Sequence, residues 1–114
     1  MSALFNQRIR FDGCADEDWL CCPACGFFGG LHHDTVTIFE RSQEDAPSQA
    51  LEIDNIWKMR RGEGDNNPSS RRDGVAIRFW CESCPTISEL TIAQHKGTTI
   101  LQWRRAGTRV ETCP

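Results

Sequence analysis

The chain lacks the features that mark membrane and secreted proteins. No apolar run in its 114 residues is long enough to span a bilayer, and the N-terminal stretch MSALFNQR has no apolar segment of the kind a signal peptide needs. Its hydrophobic content of 39% is lean for a chain that must fold around its own core. We expect one cytoplasmic domain, residues 1–114, with no membrane partner. Because its hydrophobic core is small, we also expect a stabilising element other than hydrophobic packing.

Motifs of the common enzyme classes are also missing. The sequence has no glycine-rich phosphate loop, no nucleophile motif and no HExxH segment. His32, His33, Asp34 and His95 lack the spacing of a catalytic group, and neighbouring residues on a strand point to opposite faces, so His32 and His33 cannot readily share one ion. We expect a protein without catalytic activity.

Charge is divided unevenly along the chain. Residues 1–57 carry ten acids and three bases (3 − 10 = −7), whereas residues 58–114 carry ten bases and six acids (10 − 6 = +4), which gives the formal total of −3. Because this total is negative, bulk attraction to phosphate is not expected. A nucleic-acid partner would have to contact a local basic patch.

Two widely separated cysteine pairs carry the strongest signal in the sequence. Cys22 and Cys25 form one C-x-x-C pair, and Cys81 and Cys84 form the other. Two residues between cysteines let a tight turn direct both sulfurs at one ion, and two such turns supply the four thiolates that tetrahedral Zn²⁺ prefers. We predict one structural zinc ion, with no open position for a metal-bound water. Because such a site contributes roughly 10–16 kcal/mol to folding, the metal-free chain is expected to be partly or wholly unfolded.

Three further cysteines need another explanation. Cys21 precedes Cys22 directly, but Cys22 gives the two-residue spacing, with Pro23 fixing the entry to the turn and Gly26 free to adopt positive φ. The remaining cysteines are expected to be small packing residues or exposed thiols, since no spacing supports a second metal site with the histidines and a reducing compartment disfavours disulfides. They are Cys14, Cys21 and Cys113.

Alternating and β-branched segments predict a small, mostly-β fold. Strands are expected at residues 8–13, 35–39 and 75–80, the last of which leads into Cys81, and Trp19 and Leu20 are expected beside the first cysteine turn. A hairpin is predicted with Lys96-Gly97 as its two-residue turn. Its register pairs Leu90 with Trp103, Ile92 with Leu101 and Gln94 with Thr99, and Glu89 with Arg104 on the other side.

A long polar, loop-rich insertion is predicted at residues 41–74, between core parts at about 19–40 and 75–105. Its apolar piece, residues 53–61, fits a short strand better than a helix. There Trp57 lies beside Lys58, Arg60 and Arg61, a composition suited to stacking on a base while the cations reach phosphate. The alternative, which the general tendency of tryptophan favours, is a side chain buried against the sheet with the arginines in water.

A CPxCG turn, a strand and a second CxxC turn within a small antiparallel sheet resemble the zinc ribbon family. The resemblance covers Cys22 to about Trp103 and implies the same four cysteine ligands. The 55 residues between Cys25 and Cys81 are more than most zinc ribbons have, which is why residues 41–74 are interpreted as an insertion. Small stand-alone proteins of this appearance also occur among phage and prophage genes.

Zinc ribbons serve mainly in transcription, replication and translation. The resemblance therefore implies a non-enzymatic module that binds DNA, RNA or a protein of the transcription or replication machinery. A protein adaptor or inhibitor acting through the acidic N-terminal half is the alternative, and the negative total charge fits it. The predicted contact residues are Trp57, Lys58, Arg60, Arg61, Arg71, Arg72, Lys96, Arg104 and Arg105.

Overall fold

The computed structural model describes residues 3–4, 8–13 and 16–109, and across these ranges the regular structure is all β. The predicted mostly-β, antiparallel fold is confirmed. No helix long and apolar enough to cross a membrane occurs in the described ranges. The strands are β1 (Ala3–Leu4), β2 (Phe11–Asp12), β3 (Trp19–Leu20), β4 (Leu31–Glu40), β5 (Gln49–Asp54), β6 (Met59–Glu63), β7 (Gly74–Cys81), β8 (Thr86–His95) and β9 (Thr98–Thr108).

Seven of these strands form one antiparallel sheet in the order β1-β9-β8-β7-β4-β5-β6. The short strands β2 and β3 pair with each other in a separate ribbon. The predicted β8–β9 register is confirmed in all four pairs. Its turn residues Lys96 and Gly97 have φ values of 50° and 82°, the positive φ at both central positions that a type I′ turn requires.

The cross-strand register places two apolar rows on one side of the sheet, which we call the apolar face. In each row the residues are direct partners on six successive strands, from β6 at one edge to β9. The first row is Met59, Ile53, Val36, Ile77, Leu90 and Trp103, and the second is Arg61, Leu51, Ile38, Val75, Ile92 and Leu101.

The opposite side, the loop-covered face, carries small or buried side chains such as Ala76, Thr91 and Ala93. Residues 64–73 lie across it. The Ser69 hydroxyl donates to the Gln94 carbonyl at 2.7 Å. A Cβ on Gly74 would meet Asn67 Oδ1 at 2.5 Å, so glycine is required where this segment touches the sheet. The composition of residues 62–74 suggests a mobile loop; within it, Gly64, Ser69 and Gly74 are buried against the rest of the structure, whereas residues 70–73 are exposed.

The middle of the chain is more regular than the sequence indicated. Residues 53–61 do not form a single strand: β5 ends at Asp54 and β6 begins at Met59, with a turn between them. Strands β5 and β6 therefore extend the main sheet from within the predicted insertion, residues 41–74. Near the N-terminus, the strand expected over residues 8–13 covers only Phe11–Asp12. Cys14 and Cys113 lie outside the described residues.

Candidate metal centre and basic hairpin

The two cysteine turns face each other because they flank neighbouring antiparallel strands. The first turn precedes β4, and the second follows β7 directly, where Leu31 pairs with Cys81. In the first turn the Gly26 amide donates to the Cys22 carbonyl at 2.9 Å, with Gly26 at φ 80°, the positive φ that the sequence predicted. The Glu82 amide donates to the Gly30 carbonyl at 2.8 Å and fastens the second turn to the end of the first.

Four sulfurs converge between these turns. The Sγ atoms of Cys22, Cys25, Cys81 and Cys84 all lie within 4.8 Å of one another. The Cys22–Cys84 and Cys25–Cys81 Sγ distances are both 3.8 Å. A tetrahedron with Zn–S bonds of about 2.3 Å has sulfur–sulfur edges of about 3.8 Å, whereas a disulfide bond is about 2.05 Å long. The cluster can hold a tetrahedral metal ion, and its distances do not fit disulfides.

Cys21 lies outside this cluster although it is adjacent to Cys22. Both side chains are buried, with exposed fractions of 5% and 2%. The Cys21 Sγ is 3.9 Å from the Trp19 carbonyl and belongs to no metal-ligand group in the described ranges. The cluster thus contains the cysteine with the two-residue spacing, and Cys21 packs behind it.

The thiols of the cluster differ in their exposure to solvent, and their pKa values differ as a result. Desolvation by burial raises the pKa of the Cys22 thiol to about 12. Desolvation also acts on Cys25, but hydrogen bonds with the Ser83 hydroxyl, at 3.0 Å, and with the Phe27 backbone amide lower its pKa to about 7. Thiolate charge is therefore most readily held on the exposed side, next to Ser83.

Aromatic side chains surround the first turn. Trp19 stacks on Phe28 at a ring-centroid distance of 5.4 Å, so it packs beside this turn as expected. Phe27 lies 5.5 Å from Phe28, and both phenylalanines are 42% exposed. Phe11, on β2, is 59% exposed. The rings of Trp19, Phe27 and Phe28 form a partly exposed cluster beside the turn.

The two histidines take separate positions, as their adjacency on a strand predicts. His32 stacks on Trp80 at 4.3 Å, and its Nε2 is 3.3 Å from a Glu82 carboxylate oxygen. His33 meets the edge of Phe79 instead. Neither belongs to a potential metal-ligand group within the described part of the chain.

A second feature is the turn between β5 and β6 with the start of β6, residues 54–61, which we call the basic hairpin. Asp54 Oδ1 accepts backbone hydrogen bonds from Ile56 and Lys58, each at 3.0 Å, and Asn55 Nδ2 donates to the His33 carbonyl at 2.8 Å. Trp57 at the tip is 88% exposed and has φ 65°. The interpretation of Trp57 as buried against the sheet is therefore wrong. The Asp-Asn pair is a turn signal that the sequence offered and that our prediction missed.

The predicted contact residues do not form one continuous patch. Arg60 and Arg61 are exposed but point to opposite faces of β6, opposite Glu52 and Leu51 respectively. Arg71, Arg72 and Lys96 are exposed at the other end of the sheet, about six strand residues or 20 Å from the basic hairpin. Arg72 contacts Glu44 there at 2.8 Å.

Arg104 is unsuited to the contact role predicted for it. It is 8% exposed, its Nε donates to Glu89 Oε1 at 2.8 Å, and its Nη1 donates to the Asn66 carbonyl at 2.7 Å. The sequence predicted that the Glu89–Arg104 pair faces solvent. Residues 64–73 cover the pair instead, and Arg104 donates a hydrogen bond to their backbone at Asn66. Arg105, the next residue on β9, is exposed.

No protein-family model matched the chain, and neither the curated proteins nor the solved structures gave a match. Function must therefore be inferred from the geometry of the cysteine cluster and the basic hairpin.

Proposed function

We propose that this chain is a non-enzymatic, cytoplasmic module of zinc-ribbon type, in which the four-cysteine cluster binds one structural Zn²⁺ and the basic hairpin binds single-stranded nucleic acid. The observation that carries the proposal is Trp57, which is 88% exposed at positive φ at the tip of the basic hairpin, with three basic residues among the next four in sequence. Catalysis is not assigned to the metal, because four thiolates complete its coordination.

Zinc is the metal that the donor set favours. Four thiolates in a tetrahedral arrangement suit Zn²⁺ or iron–sulfur chemistry, and the 3.8 Å Sγ distances match the edges of a single ZnS₄ tetrahedron. Reduced cysteines at this density also fit a cytoplasmic location, where disulfides are rare.

Native mass spectrometry, with and without chelator and alongside circular dichroism, tests the metal assignment. One zinc per chain and loss of sheet signal on chelation are expected. Cys21 and Cys22 offer a matched pair, since both are buried but only Cys22 belongs to the cluster. Cys22→Ser should lose the zinc and Cys21→Ser should retain it; a wild-type protein that folds without metal would contradict the assignment.

The basic hairpin suits single-stranded nucleic acid because its tryptophan ring is free to stack. Stacking of a base on an aromatic side chain contributes about 1–3 kcal/mol and tolerates any base. Lys58 and Arg60 are exposed close to Trp57, and Arg61 is exposed on the other face of β6 at the edge of the sheet, so the three cations can reach phosphates on either side of the hairpin. Asp54 and Asn55 fix the tip before binding, so little conformational entropy is lost there.

Fluorescence anisotropy with a labelled single-stranded oligonucleotide tests this half of the proposal. Trp57→Ala should weaken binding by about 5- to 150-fold, the equivalent of one stacked base. Trp19→Ala is the matched control, because Trp19 is also exposed but lies among Asp16, Glu17 and Asp18. Equal losses in both variants would count against the hairpin.

Salt dependence supplies a second readout. Affinity should fall steeply with salt, by about 0.7 log units per tenfold rise in salt for each phosphate contacted on a single strand. Replacing Lys58, Arg60 and Arg61 with alanine should reduce that slope. Arg104 is excluded from this test because its replacement would break the Glu89 pair. A flat salt response in the wild type would sink the nucleic-acid assignment.

A protein adaptor or inhibitor is the second candidate, and the exposed aromatic cluster beside the first cysteine turn favours it. Trp19, Phe27 and Phe28 are each 38–42% exposed and stand next to the acidic residues 16–18, a setting that repels phosphate but suits a basic protein surface. Capture from nuclease-treated lysate separates the two functions. A partner retained by wild type and lost in Phe28→Ala would support the adaptor, whereas loss of every partner after nuclease treatment would oppose it.

A further inference from the structure

No second layer of strands covers the apolar face within the described residues, although Trp103, at the β9 end of the first row, is itself only 2% exposed. Its two rows contain eleven apolar side chains and one charge, Arg61, at the edge. Ile38, Leu101 and Met59 are 45%, 51% and 68% exposed, although they lie in the same rows as the central residues. Even on central strands, Val75, Ile77, Leu90 and Ile92 are only half-buried.

Such a face is unusual, because a sheet ordinarily buries its apolar side against another layer. Residues 64–73 cover the opposite face and cannot serve both. The parts of the sequence outside the described ranges bring only three large apolar side chains, Met1, Phe5 and Val110, against eleven on the face. These three side chains are too few to cover the face, which leaves it available to a partner.

The size of the face matches one side of a stable protein interface. Six strands about 4.8 Å apart give a width of about 29 Å, and the two apolar rows with one flanking row at each end give a length of about 27 Å. The product, roughly 800 Å², equals the area that each partner contributes to a standard interface. The apolar centre is about half of this, as large as the patches that mark interaction sites on monomers.

The chemistry of the rim decides between partners. One flanking row holds Glu40, Gln49 and Glu63 on the same side of the sheet. This row repels anions at one end of the face, whereas the flanking row at the other end carries Arg105, and the centre lacks the charges that would select a charged protein partner. An uncharged centre of branched aliphatic side chains with a polar rim can pack against an identical copy of itself.

We propose that two copies of this chain pack apolar face against apolar face and form a β-sandwich with a shared core. Two sheets packed in this way lie about 10 Å apart with their strands within about 30° of each other. The 39% hydrophobic content, lean for one chain, then supplies half of a two-chain core.

Sedimentation velocity of the full-length, metal-loaded chain over a wide range of concentration tests the dimer. Leu101 and Ile100 provide a matched pair, because they are neighbours on β9 with exposed fractions of 51% and 36% but lie on opposite faces. Wild type and Ile100→Lys should sediment at twice the mass of one chain. Leu101→Lys should raise the dimer dissociation constant by roughly 30-fold or more, the effect of losing one interface hot spot.

Metal content and circular dichroism show whether Leu101→Lys folds, and Ile38→Lys, on β4 in the same row, serves if it does not. A monomeric wild type would overturn the proposal. If that monomer also bound a hydrophobic dye at the apolar face, the face would serve a different protein partner. A dimer that persists in Leu101→Lys and Ile38→Lys would also overturn it, since the contact would then lie elsewhere.

Discussion

Two hairpins of the main sheet, β8–β9 and β5–β6, turn the chain in different ways. The β8–β9 hairpin turns through Lys96-Gly97, and its strands run for ten or more residues with matched partners across them. The β5–β6 hairpin turns through Asn55 to Lys58, held by the Asp54 carboxylate, and places positive φ on a tryptophan that is 88% exposed. A bulky residue pays about 1–2 kcal/mol for that conformation.

The difference separates stability from recognition. In β8–β9 the unusual backbone falls partly on a glycine, and the side chains across the strands hold the hairpin together. In β5–β6 the strained backbone conformation belongs to Trp57, whose side chain contributes almost nothing to the core. Strain of this kind persists where surrounding contacts enforce it, and it concentrates at functional sites. The first hairpin is therefore expected to govern folding and the second to govern binding.

The largest effect is expected from the covered ion pair of the β8–β9 hairpin. Glu89→Ala leaves the Arg104 side chain, 10% exposed, without its carboxylate, and should lower the free energy of unfolding by about 3 kcal/mol. Urea unfolding measures this loss. Glu44→Ala is the control, because its pair with Arg72 is about half exposed and should contribute less than about 1 kcal/mol. Similar small losses in both variants would contradict a stabilising role for the covered pair.

A smaller effect is expected from the carboxylate that holds the β5–β6 turn. Asp54→Ala removes the acceptor of two backbone hydrogen bonds and should cost about 1–2 kcal/mol of unfolding free energy. It should also weaken oligonucleotide binding, because Trp57 is no longer fixed. Asp54→Asn retains an acceptor oxygen and should behave nearly as wild type in both assays. If binding survived in Asp54→Ala, the rigid presentation of Trp57 would be irrelevant.

The smallest change in stability, and the sharpest contrast between hairpins, should come from glycine at the two positive-φ positions. Trp57→Gly and Lys96→Gly both relieve backbone strain and should leave stability unchanged or raise it by up to about 1 kcal/mol. Only Trp57→Gly should lose oligonucleotide affinity. Thermal unfolding measures the stability of both variants, and fluorescence anisotropy on the same samples measures their oligonucleotide affinity. Equal affinity of the two variants would contradict the proposed difference between the hairpins.

The same contrast explains what sequence alone could predict. The β8–β9 register was accessible because apolar residues meet apolar residues across a two-residue turn, and Glu89 meets Arg104. The β5–β6 hairpin was not, because β6 reads Met-Arg-Arg-Gly-Glu and lacks apolar alternation. Spacing predicted which cysteines converge, since C-x-x-C geometry is local. Burial of Arg104 depended on a loop that packs from 38 positions away, which no local pattern encodes.

Because the converging cysteines are far apart in sequence, the two pairs emerge from the ribosome at different times. The sulfurs of Cys25 and Cys81 are 56 positions apart and those of Cys22 and Cys84 are 62 apart, whereas the side-chain hydrogen bonds within the β8–β9 hairpin join residues 5 to 15 positions apart. At 5–20 residues per second, the first pair leaves the ribosome roughly 3–12 seconds before the second. During that interval the first two thiols have no partners from the second turn, so the four-sulfur cluster can form only after the second pair has emerged.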